Sequence, residues 1–257
     1  MIELDKGLAG YLANDADVVA TSSNDWEPEY SALSHLVDIF RRLSALIVIK
    51  DPNLNLPAQL FLVALNQSYG VASELLRRRT RDAQALTRRA VEAAGVAHRL
   101  WRHPDLIQVF NEAYPHMNDS THPKQFKPSE KYRSEFSYPQ LFSGDSSALQ
   151  TLGSLIELFS VGATHAGLGA LVGQKWEDSV LKLSVRETDG VEIGRAWHSI
   201  IGAYWEMLRV FFAILKPAVQ DGMSEAVELD MKTWLEAYRK TLRERTPWIP
   251  NLHEPVL

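Results

Sequence analysis

The chain contains no cysteine. Disulfide frameworks, thiolate zinc sites and cysteine nucleophiles are therefore excluded, and a reducing cytosol fits this composition. Long apolar runs are missing too. The greasiest stretch, Val210–Leu215, falls far short of the roughly 20 residues that cross a bilayer. The first residues, MIELDKGLAG, lack the basic start and apolar core of a secretory leader. No Walker loop, dinucleotide fingerprint or nucleophile elbow occurs, and GLGALVG (167–173) has neither the spacing nor the flanking strand of a phosphate cradle. Positive charge is not in excess: 27 Lys and Arg face 32 Asp and Glu, a net charge of −5, which argues against nonspecific coating of nucleic acid. The expectation is a cytoplasmic protein with no membrane span.

What remains is ordinary globular material, 46% hydrophobic and 23% charged over 257 residues. Helical periodicity dominates. Leu33, Leu36, Phe40, Leu43 and Ile47 recur every three or four residues. KDPNLNLP breaks that pattern, and Pro57 suits the first turn of a second helix, with Phe61, Leu65, Tyr69 and Leu75 along its body. A helix from about Ile193 to Leu215 carries Trp197, Tyr204, Trp205, Phe211 and Phe212, as core residues, with His198 packed among them. A last helix spans about Met223 to Leu242. SVLKLSV (179–185) alternates apolar and polar and RETDG reads as a turn, so a small β-hairpin is expected near 179–193. The fold class expected is all-α, a multi-helix bundle with that one hairpin. The domain plan is a loosely ordered lead-in over 1–28, one helical domain over 29–245 and a tail over 246–257. A long loop with four prolines interrupts the domain at 114–145, with one short helix near Glu130–Phe136.

Arg77 to Arg102 packs eight arginines and two acids. One side of this helix is a small-residue seam, Ala83, Leu86, Ala90, Ala93, Ala97 and Leu100, suited to close helix packing, in the same chain or between subunits of a homo-oligomer. On the other side lie Arg81, Arg88, Glu92 and Arg99. Two readings stand for the arginines. Arg77, Arg78, Arg79 and Arg81 could contact the phosphates of RNA or a nucleotide. The favoured reading is a solvated face with internal salt bridges, as charge runs usually are. Arg88 and Glu92 sit four apart and are helix neighbours; turned toward the core, they would make a buried ion pair. His165, in the glycine-rich FSVGATHAGLGALVG, is the candidate base or ligand contact. His98, His103, His116 and His122 show no metal-ligand spacing, so neither a metal nor a cofactor is expected.

LTRRAVEAAGVAHRLWRHPD, with Arg88 four residues before Glu92, and the later Ser160 and His165, resemble motifs in a broad group of bacterial helical proteins. Some of these are grouped with the HEPN-like nucleotide- and RNA-associated domains of defence and stress systems. The resemblance covers about residues 55–170. It implies a helical domain with a site on Arg88, Glu92 and His165. None of the eight histidines has an arginine five to seven positions before it, and this departure from the HEPN nuclease pattern argues against ribonuclease activity.

Three functional expectations follow. The leading one is a ligand- or partner-binding protein whose pocket lies where the Arg88/Glu92 helix meets the His165 helix. The others are a nucleic-acid or nucleotide hydrolase using His165 as base and Arg88 against phosphate charge, and a helical oligomer built on the alanine seam.

Overall fold

The computed structural model describes residues 7–116, 127–144, 146–163, 174–177, 180–183, 189–245 and 247. Among these residues the fold is all-α. The helices are α1 (Gly7–Asp25), α2 (Glu27–Leu46), α3 (Asn55–Leu76), α4 (Thr80–Arg102), α5 (Leu106–Asn111), α6 (Glu130–Glu135), α7 (Tyr138–Leu141), α8 (Ser147–Ala163), α9 (Gly190–Leu215) and α10 (Ser224–Arg245).

Helix α9 is the axis of the bundle. Its apolar residues run round the whole circumference, the pattern of a helix covered on all sides. α2, α3, α4 and α8 pack around it. Trp197, Tyr204, Trp205 and Phe211 are at most 1% exposed. The stretch 190–218 is long and apolar enough to cross a bilayer, but 78% of its most apolar window is buried inside the bundle. Stacked and edge-on rings tie α2 and α3 to it, with Phe40 on Phe61 at 5.5 Å and Phe61 against Phe211 at 5.3 Å.

The alanine seam of α4 is consumed inside the chain. Ala83, Ala90, Ala94 and Ala97 are fully buried, and α4 packs against α3, α8 and α9. Small side chains let these helices approach closely, so the seam expected to join subunits is not a surface feature. Gly70 of α3 shows how close: a Cβ there would lie 3.1 Å from Leu86 Cδ1 of α4, and at Gly95 a Cβ would lie 3.1 Å from the Phe142 ring that follows α7.

Two expectations are corrected by the local chemistry. The stretch 1–28, expected to be a loosely ordered lead-in, contains the 19-residue helix α1, and α2 begins at Glu27. The hairpin expected near 179–193 is not supported. The Asp189 carboxylate caps α9, accepting the N–H groups of Val191 (2.8 Å) and Glu192 (3.4 Å). Residues from Gly190 onward are therefore helical. A four-residue backbone pairing lies earlier, Gln174–Glu177 antiparallel to Val180–Leu183. The proline-rich 114–145 excursion carries α6 and α7, and its Phe136, Leu141 and Phe142 join the core.

Candidate functional site

The arginines that open α4 belong to a clamp. At the α3–α4 junction Arg78 adopts φ = 57°, a left-handed conformation unusual for a residue other than glycine. The Arg79 N–H reaches Glu74 O (2.9 Å) and the Arg78 N–H reaches Leu75 O (2.9 Å), the two bonds of a Schellman closure. This turn fans three guanidiniums toward α1. Arg77 pairs with Asp15 at 2.8 Å and Arg79 with the same carboxylate at 3.2 Å. Arg79 also pairs with Glu74 at 3.4 Å. Arg78 donates to Ser22 Oγ at 2.9 Å and pairs with Asp25 at 3.0 Å. Arg81 likewise takes part in a contact within the chain. The guanidinium set expected to meet phosphate is thus engaged with α1 and with the end of α3. Asp15, only 8% exposed, is the hub. Asp15→Ala should loosen α1 at a cost of about 2 kcal/mol, since two charged donors lose their partner. Hydrogen exchange should show α1 amides losing protection while α9 keeps its own; an unchanged α1 would refute the clamp.

Arg88 and Glu92 do pair, at 2.8 Å, but their side chains are 29% and 43% exposed. The pair lies on the side of α4 away from the seam, whose residues take the inward positions, so it is not a buried ion pair. Helix α4 does meet α8 near it. A shallow hollow of about 270 Å³ opens between α7 and α8, lined by Tyr138, Gln150 and Glu157. The Tyr138 hydroxyl donates to Gly153 O. Burial and the Glu157 charge push that phenol up, and Arg88 opposes them. His165 lies outside the described residues. Ser160, on α8, donates to Ile156 O at 2.6 Å. Among the described residues no group of three His, Asp or Glu side chains could hold a metal ion.

The structure assembles two clusters that periodicity did not reveal. The first is a buried polar chain between α2, α9 and α10. Glu29 is 0% exposed. Arg245 meets its carboxylate through Nε (2.8 Å) and Nη2 (3.1 Å), and His198 Nε2 lies 3.3 Å from Oε1. On the other side of the ring, His198 Nδ1 and the Tyr238 hydroxyl share a hydrogen bond of 2.8 Å. Burial alone would raise the Glu29 carboxyl. Hydrogen bonds from His198 and from its own backbone amide, with the His198 and Arg245 charges, outweigh burial and hold it below the ordinary value. Glu29, His198 and Tyr238 are sealed, and the chain fixes helices together.

The second is a cleft of about 260 Å³ where the α2–α3 connection, the end of α4 and the turn after α9 meet. Val48, Lys50, Asp51, Trp101, Pro104 and Pro217 are among its walls. Backbone pairing builds it: the Val48 N–H donates to Ala218 O (2.7 Å) and the Gln220 N–H to Leu46 O (3.0 Å). Asp51 accepts the Asn53 N–H at 2.9 Å, capping the short turn Pro52–Leu54. Comparison of the chain with family models, with curated proteins and with solved structures finds no match. The site's chemistry must therefore be read from its own residues. The Arg102 guanidinium sits over the Trp101 ring at 5.8 Å, and His98 meets that ring edge-on at 5.6 Å. Burial, with the charges of Arg102 and His103, lowers His98 to about 4. At neutral pH the imidazole is uncharged, and Lys50 is the cation in the cleft lining. KDPN and WRHPD carry turn signals in the sequence; nothing in either shows that they meet.

Proposed function

We propose that this is a non-catalytic, helical binding protein of the cytosol that takes a small ligand in the Lys50–Trp101 cleft. One observation carries the reading. Lys50 is exposed at an indole- and proline-walled hollow and makes no hydrogen bond or ion pair with any described residue, while Arg77, Arg78, Arg79, Arg88 and Arg99 all have partners within the chain. Largely apolar hollows with a few polar groups are the usual form of ligand sites. The titratable residues in the cleft lining are Lys50 and Asp51, and Asp51 already caps a turn, so the lining holds no nucleophile paired with a base. The cytosolic assignment is supported by the absence of cysteine and by the burial of α9 within the bundle.

A fragment screen read by amide chemical shifts tests the proposal. Hits should move the signals of Val48, Asn53, Trp101 and Ala218. Hits confined to other surfaces would defeat it. Hydrolysis of a nucleotide or RNA by the purified protein, lost in Arg88→Ala, would favour the hydrolase instead.

A further inference from the structure

We infer that the cleft selects a planar aromatic carboxylate of one or two fused rings, its ring against Trp101 and the two prolines and its carboxylate on Lys50. This rests on reading the cleft as a ligand site. The ring preference follows from the walls. An indole and two rigid proline rings, Pro104 and Pro217, in the lining favour a thin, rigid apolar body, since aromatic surfaces stack offset or edge to face. The size follows from the volume, about 260 Å³, which is just below the range of pockets for drug-sized molecules, about 300–1,000 Å³.

The charge follows from which groups are already engaged. Asp51 directs an oxygen to the Asn53 N–H. Lys50 has no such engagement, and the Arg102 guanidinium lies beside the indole. A cationic ligand would meet the Lys50 ammonium. A neutral one would crowd the ammonium without replacing the water it displaces. An anion satisfies it, and ionic hydrogen bonds are the stronger kind. The Lys50 side chain is exposed, so it can be changed without opening the core.

Calorimetric or NMR titration of the full chain with three probes tests this inference. 2-Naphthoate should bind. Cyclohexanecarboxylate, which keeps the charge but has no planar ring, should bind about threefold or more weakly, the factor expected from losing an aromatic contact. 2-Naphthalenemethanol, the neutral counterpart of naphthoate, should bind about tenfold or more weakly, the factor expected from losing one charged hydrogen bond. Lys50→Ala should weaken naphthoate by a similar factor with an unchanged circular dichroism spectrum, and Lys50→Arg should retain most of the affinity. Equal binding of the acid and the alcohol at the cleft would overturn the inference, as would indifference to Lys50→Ala, and either result would leave the cleft as a ligand site. Failure of all three probes would overturn the inference, and failure of the fragment screen as well would remove the underlying reading.

Discussion

Replacing Glu29 with glutamine should destabilise the protein by about 3 kcal/mol, the scale of breaking a buried ion pair by removing one partner. For a chain of this size that is a fall in Tm of roughly 6–12 °C. The size of the effect comes from what is left behind. His198 is nearly sealed, and Arg245 has both its Nε and Nη2 on the same carboxylate. A neutral amide offers one oxygen where two donors converge, and its NH2 would face one of them. The pH dependence separates this cause from lost packing. The Glu29 carboxyl is held below the ordinary glutamate value of 4.5. A depressed carboxyl contributes stability that is fully present above the unfolded value and is lost as pH falls through the folded one. The gap between the parent protein and Glu29→Gln should therefore be constant above pH 4.5 and close below it. Glu206 supplies an internal contrast. Burial lifts its carboxyl above the ordinary value although Arg209, 2.7 Å away, opposes this. Its contribution has the opposite sign and grows as pH falls. A gap that does not change with pH would show that Glu29 acts through shape and not charge.

The residues that proved legible in the sequence are those whose role is set by neighbours three or four positions away. Leu33, Leu36, Phe40 and Leu43 are buried as their spacing requires, and so are Val227, Met231, Trp234 and Tyr238. Charged residues follow no such rule, because their partners are distant in the chain. Arg77 finds Asp15 62 positions away, and Arg245 finds Glu29 216 positions away. An acidic, Ser- and Asn-rich start therefore reads as loosely ordered although it is docked as α1, held by arginines that looked ready for phosphate. The surface position of Arg88–Glu92, by contrast, is legible, since three- and four-residue spacing sets them opposite the seam. Asp189–Gly190 carries both a turn signal and a helix cap. The cap prevails because the helix it opens, α9, has a continuous core to bury.

Helix α10 makes the second large prediction. Trp234 is stacked between Trp205 (5.1 Å) and Tyr238 (5.0 Å), and its Nε1–H donates to Ala32 O at 2.8 Å. Trp234→Ala removes a large buried ring and leaves the Ala32 carbonyl without that donor, so a loss of about 3–5 kcal/mol is expected. Trp234→Phe keeps most of the stack and should lose much less. The same helix carries Tyr238 and Arg245, which complete the chain around Glu29. Its link to the preceding turn runs through Gly222, at φ = 78°. If α10 leaves the bundle as a unit, Glu29 loses Arg245 in the Trp234→Ala protein before any change is made at Glu29. The double variant should then cost clearly less than the sum of the single ones, by more than the few tenths of a kcal/mol expected for independent sites. Hydrogen exchange would show α10 unprotected in Trp234→Ala while α9 remains protected. Strict additivity, with α10 and α9 opening together in every variant, would show instead that α10 is an inseparable part of the core and that the buried chain is a lock within one cooperative unit.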